Sequence, residues 1–135
     1  MGDLSELNIP AELKYTEEHE WVRVQDSLAT IGITDYAQIE LGDIVNVELP
    51  EEGDVISREE AFGAIESVKA SSEVFAPVSG KVVEVNDPLY DTPEIVNEDP
   101  YQNGWLIKVE LQNPAELDDL MDAAAYRRFL EEESK

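Results

Sequence analysis

The stretch Ala61-Phe62-Gly63-Ala64-Ile65-Glu66-Ser67-Val68-Lys69-Ala70-Ser71-Ser72-Glu73-Val74 decides how this chain is read. Two strand-like runs, Phe62 to Val68 and Ser72 to Ala76, flank a few small and polar residues. That pattern predicts a β-hairpin with Lys69 at its tip. A lysine on a turn is exposed, charged and conformationally free, which suits an amine that another enzyme must reach. It is the opposite of what a buried base of low pKa requires. Turn position by itself favours nothing more than one of five lysines placed on a surface for solubility.

Outward from the hairpin, alternation predicts further strands at Glu20–Val24, Leu28–Ile33, Asp43–Leu49, Lys81–Val85 and Trp105–Leu111. Gln25-Asp26-Ser27, Pro50-Glu51-Glu52-Gly53 and Pro77-Val78-Ser79-Gly80 supply turn chemistry between them. Trp21 and Trp105, on alternating strands, read as core anchors. A short helix is expected at Thr34–Leu41, capped by Thr34, with Asp35 at its positive end and Gly42 as its stop. Asn113-Pro114-Ala115-Glu116 has the pattern of a second helix start, a cap, a proline and a glutamate three residues on. Leu117, Leu120 and Met121 would share one face. Asp122 reads as a further cap for Ala123–Leu130, with Tyr126, Phe129 and Leu130 as the buried stripe. Glu131-Glu132-Glu133 sets like charges at the negative end, so fraying is expected there. A weak echo relates residues 43–50 to residues 81–88, each a β-rich run ending in a polar turn with proline. Two such units with a hairpin between them would hold its tip far from the core.

Composition narrows the function. The chain has 135 residues, 42% of them apolar, which suits one domain with a real core. No run approaches the roughly 20 apolar residues of a membrane span. The acidic start Met1–Glu6 lacks a targeting pattern, so a cytoplasmic protein is expected. The absence of cysteine excludes disulfides and thiol catalysis. Nine basic against 32 acidic residues give a net charge of −23. That surface repels nucleic acid and anionic lipid. It serves solubility as a monomer, steering toward basic partners, or life in high salt, and the composition does not choose between these.

The hairpin residues Glu66-Ser67-Val68-Lys69-Ala70, with Phe62–Ile65 before and Ser72-Glu73 after, resemble the lipoyl-lysine motif of the glycine cleavage H proteins. The resemblance continues in Lys14-Tyr15-Thr16, Glu18–Val22, Gly32–Gln38, Leu41-Gly42-Asp43 and Val47–Pro50. It extends through Ala76–Gly80, Val83–Asn86, Pro93–Asn97, Asp99-Pro100-Tyr101 and Gly104-Trp105-Leu106, and so covers about Leu13 to Leu130. Val68 and Ala70 replace the methionines that flank the lysine of biotinyl domains. Val68 also replaces the aspartate common in the lipoyl domains of 2-oxoacid dehydrogenases.

The resemblance implies a mostly β, lipoyl/biotinyl-type barrel-sandwich fold with short helices. Residues 1–12 would be an N-terminal extension, 13–111 the β-sandwich core and 113–133 the C-terminal helices. It implies lipoate amide-linked to Lys69, and a carrier that catalyses nothing itself. The aminomethyl group of glycine would travel between a pyridoxal-phosphate glycine decarboxylase, a tetrahydrofolate-dependent aminomethyltransferase and dihydrolipoyl dehydrogenase. A lipoate-attaching enzyme would load the arm. An aminomethyl group hydrolyses readily, so a sheltering groove is expected. Glu20, with Trp21 or Tyr36 beside it, is the candidate for holding the ammonium; a solvated strand-edge carboxylate is the other reading. Ser67, Val68 and Ala70 complete the lipoylation motif. Glu66 and Glu73 would guide the loading enzyme or serve as plain surface charge.

Other candidates are weaker. His19 is the sole histidine, too few for a metal cluster, and a structural hydrogen bond suits it best. Asp87, Asp91, Asn97 and Asp99 fit no EF-hand spacing. No nucleophile–base pair or phosphate loop suggests an enzyme. A relay donating lipoyl groups to other lipoyl domains is an alternative function, and a plain interaction module would leave Lys69 bare.

Overall fold

A computed structural model describes residues 7–133. Among these residues nine antiparallel strands form two sheets. The larger is built from β1 (Lys14–Tyr15), β2 (Glu20–Gln25), β3 (Leu28–Ile33), β5 (Val55–Ile56), β8 (Gly80–Val85) and β9 (Ile107–Leu111), in the order β1-β2-β3-β9-β8-β5. The smaller, β4-β6-β7, joins β4 (Ile44–Glu48), β6 (Ala61–Ser67) and β7 (Ser71–Phe75). Between them lie Val22, Ile31, Ile33, Val47, Ile65, Val74, Val82 and Val109, all buried and all β-branched aliphatics. Branched side chains pack well on pleated surfaces, so one continuous apolar layer closes the sandwich.

β2 departs from simple alternation, because Trp21 and Val22 are both buried. Val22 faces the sandwich, whereas Trp21 joins Leu13, Tyr15, Tyr101, Tyr126 and Leu130 in a second cluster on the outer face. Helix α4 (Ala123–Glu133) covers that cluster, and Tyr15 stacks on Tyr126 at 4.7 Å between ring centroids. Leu13 and β1 are thereby held to the C-terminal helix. Trp105 is different from the expectation. It lies outside β9, is only half-buried, and carries Lys108 Nζ 4.9 Å over its ring.

Helix α1 (Asp35–Leu41) follows its sequence signals. The Thr34 side chain accepts from the Ala37 N–H, and Gly42 ends the helix at φ +82°. The start at Asn113 does not. Pro114–Asp119 is a 3-10 helix and the Asn113 side chain caps nothing. The Glu116 carboxylate instead accepts from the Ser79 N–H (2.7 Å) and the Ser79 hydroxyl (2.9 Å), a tertiary partnership that outcompetes a local capping box. Asp122 does cap α4, accepting from the Ala125 N–H at 2.8 Å. That helix runs unbroken through Glu131–Glu133 rather than fraying. Glu133 stands 3.8 Å from His19 Nε2, so its last turn packs against the loop before β2.

Two single-turn helices, α2 (Pro88–Asp91) and α3 (Ile95–Glu98), connect β8 to β9. Asn97 fixes the second of them to α1 and β4. Its amide donates to Gln38 Oε1 and to the Gly42 carbonyl, both at 2.9 Å, and its oxygen accepts from the Ile44 N–H. The echoing strands β4 and β8 lie in different sheets, and β4 pairs directly with β6. The hairpin is therefore a wall of the sandwich rather than a projecting unit, and its tip stays close to the body.

Candidate functional site

The β6–β7 hairpin closes on a two-residue loop, Val68-Lys69. Glu66 pairs with Ser71, and the Ser67 N–H donates to the Ala70 carbonyl at 2.7 Å. Two-residue hairpin loops usually take positive φ, which matches strand twist but strains a β-branched residue such as valine. Val68 and Lys69 avoid that conformation; the described non-glycine residues with positive φ are His19, Asp26 and Glu59. The Ser67 side chain supplies what the backbone then lacks. Its oxygen accepts from the N–H groups of Lys69 (3.3 Å) and Ala70 (3.1 Å), and its hydroxyl donates to the Ala70 carbonyl. The Val68 N–H reaches across to the Asp43 carbonyl at 3.0 Å, tying the loop to the end of α1.

Lys69 is exposed at this apex. Its methylene chain passes over Gly42, where a Cβ would stand 3.4 Å from Lys69 Cε. One residue back along α1, Leu41 begins a cleft of about 240 Å³ between α1 and the hairpin. Ile33, Ala37, Leu41, Ile65 and Val74 give it apolar walls; Tyr36, His19, Glu20 and Glu73 give it polar ones.

Glu20 is the unusual member. It is only 2% exposed, at the first position of β2. One carboxyl oxygen accepts from the Thr16 hydroxyl at 2.6 Å and the other from the Phe75 N–H at 3.3 Å. Burial pushes its pKa up to about 7 against the opposing pull of those two bonds, and neighbouring Glu18 adds repulsion. His19 beside it sits below its usual range because it is buried. Its Nδ1 lies 2.9 Å from Tyr126 Oη, which in turn contacts Thr34 Oγ1 at 2.7 Å. His19 thus takes part in a structural hydrogen-bond chain and also forms part of the cleft wall.

The structure brings Glu20, Tyr36 and Glu73 together on one cleft. It does not bring Trp21 there, because Trp21 is fully buried on the opposite face with its indole N–H on the Pro100 carbonyl. Glu66 also points elsewhere, accepting from Asn46 Nδ2 at 2.8 Å across β4 and β6. Sequence reasoning missed Gly42 as the rest for the Lys69 chain, having read it only as a helix stop, and missed the cleft walls Ile33 and Leu41. Among the described residues no helix is long and apolar enough to cross a membrane.

Residues 13–133 match the family model described as glycine cleavage H-protein. The chain belongs to the glycine cleavage H-protein family. It is similar, at 58% identity over 127 residues, to the glycine cleavage system H protein of Anaeromyxobacter sp. (strain K), covering 94% of this chain and 99% of that one. The H protein of Symbiobacterium thermophilum is 56% identical over 125 residues, covering 93% and 98%. The crystal structure of the H protein from Mycobacterium marinum superposes with a TM-score of 0.82 at 39% identity, over 87% of this chain and 95% of that one. The two sheets are therefore the lipoyl-type barrel-sandwich of the H proteins, whose members are lipoyl carriers rather than enzymes.

Proposed function

We propose that this H protein carries lipoate in amide linkage to Lys69 Nζ and shuttles the aminomethyl group of glycine upon it. The observation that carries the reading is the apex. An accessible amine stands on a two-residue loop, its stem laid over Gly42, at the edge of a cleft that ends on a buried carboxyl. Lipoate supplies the disulfide chemistry of group and electron transfer when attached. The chain supplies placement and shelter. Ile33, Leu41, Ile65 and Val74 suit a hydrocarbon arm and displace water from it.

Glu20 suits the cationic end of a loaded arm. With a pKa near 7 its carboxyl is divided between neutral and ionised forms at neutral pH, and an ammonium in the cleft favours the carboxylate. Tyr36 and Glu73 add oxygen acceptors at the same wall. Glu66, on the outer face, is left as a contact for the loading enzyme.

The partners that follow are the pyridoxal-phosphate decarboxylase, the folate-dependent aminomethyltransferase, dihydrolipoyl dehydrogenase and the lipoate-attaching enzyme. The carrier works as a cytoplasmic monomer. Tethering raises the local concentration of the reactive end at each of these enzymes. The test is intact mass spectrometry after co-expression with a lipoate ligase and lipoate. One lipoyl group is expected on the wild type and none on Lys69→Arg. A bare wild type, or a modified variant, would overturn the proposal.

A further inference from the structure

A second cleft, of about 480 Å³, is also lined by Glu20 but includes neither Lys69 nor any residue of α1. Its floor is apolar: Tyr15, Phe75, Ala76 and Pro77, with Leu120 and Met121 from the segment before α4. Its rim is acidic, carrying Glu17, Glu18, Glu59 and Asp119. The one rim cation, Arg58, is already surrounded by Asp119 at 2.7 Å, Glu116 at 3.8 Å and Glu59 at 3.9 Å. Its charge is thus more than balanced, and the cleft as a whole presents negative potential above an apolar surface.

We infer that this cleft is a docking site for a basic segment of a partner enzyme, one offering an apolar side chain flanked by arginine or lysine. Charge complementarity selects that occupant. An acidic or neutral peptide would meet repulsion or find no partners at the rim, whereas a cation on an apolar stem satisfies both parts of the lining. The position adds a consequence, which rests on the carrier reading. Glu18 and Glu20 line both clefts, and the Thr16 hydroxyl that bonds Glu20 belongs to the second. Two of the roughly four acceptor positions of the Glu20 carboxyl are used by Thr16 and Phe75. A guanidinium entering from the second cleft competes with an ammonium held in the first. Docking on one face thereby weakens the hold on the loaded arm at the other.

The test titrates lipoylated, isotope-labelled protein with acetyl-Leu-Arg-Phe-Arg-amide, followed by amide chemical shifts. Shifts are expected at residues 15–20, 58–60, 75–77 and 119–122, fading as salt rises, and absent with acetyl-Leu-Glu-Phe-Glu-amide. The rim variant Glu17→Lys/Glu59→Lys, altered only at exposed positions, should bind about tenfold more weakly or worse. Shifts scattered over the acidic surface, affinity unchanged in the rim variant, or no binding at all would overturn the inference. Intact mass of both proteins is read alongside. Absence of lipoate from Lys69 would sink the carrier reading while leaving the peptide result to stand or fall by itself.

Discussion

Two hairpins of this fold turn on two residues, and they do so in opposite ways. β2 and β3 are joined by Asp26-Ser27, with Gln25 opposite Leu28. There Asp26 takes φ +57°, the left-handed conformation that suits strand twist and that aspartate tolerates. β6 and β7 are joined by Val68-Lys69 with no positive φ, and the Ser67 hydroxyl holds the loop together. The difference shows what a two-residue loop needs in order to carry a valine and a lysine. A left-handed position favours glycine, asparagine or aspartate and is costly for a β-branched residue. A loop held from the side by serine leaves its two apical positions open to valine and lysine. The hairpins also meet at their bases, where Glu20 at the start of β2 accepts from Phe75 at the end of β7.

The largest expected effect comes from moving the lysine between the two loops. Ser27→Lys in a Lys69→Arg background places an exposed lysine on the other hairpin, and intact mass should show no lipoyl group. Modification at position 27 would mean that any exposed turn suffices and that the apex geometry is irrelevant.

The joint between the hairpins gives the next effect. A glutamate whose pKa rises on folding from 4.5 to about 7 stabilises the fold fully below 4.5 and loses that contribution as pH climbs through 7. Glu20→Gln removes the titration. The change in unfolding free energy between pH 5 and pH 8 should then differ from wild type by about 2.5 kcal/mol, measured by urea denaturation. His19, lowered by burial, titrates in both proteins and cancels from the difference. Equal pH profiles would show that Glu20 is not the buried acid described.

Ser67→Ala should cost about 1–2 kcal/mol, because three hydrogen bonds of the turn use that oxygen. It should also speed amide exchange at Lys69 and Ala70 while leaving the Asp26 loop unchanged. The smallest effects have opposite signs. Asp26→Gly relieves a left-handed residue and should stabilise by about 0.5 kcal/mol. Val68→Gly gains no such relief and should destabilise by about the same amount, through added freedom of the unfolded chain. Equal signs in thermal melts would erase the distinction between the loops.

What could be read from sequence followed local physics. Thr34 and Gly42 bracket α1 because a cap and a stop act within a few residues. The hairpin and its lysine were visible for the same reason. What escaped notice depended on distant partners. Asn113-Pro114-Ala115-Glu116 has every local mark of an α-helix start, yet Glu116 serves Ser79, 37 positions away. Helices α2 and α3 have four residues each, too few to show a period. Alternation identifies Trp21 as a core residue but not the outer cluster that buries it, which keeps it away from the groove. Glu20 was legible as a candidate and illegible as a buried acid, since its burial comes from Thr16, Phe75 and the packing around them.

Gly42 has a bearing on how the protein works in a crowded mixture of partners. An acyl tether rising from an isolated tip would sweep a hemisphere and spend most of its time pointing away from any given docking face. The Lys69 stem lies across a residue without a side chain, so an acyl group attached there would start from a chosen direction and sweep a sector over one flank. On the proposed carrier reading, each enzyme would then meet the arm from the same azimuth, so that several unrelated active sites could share one approach.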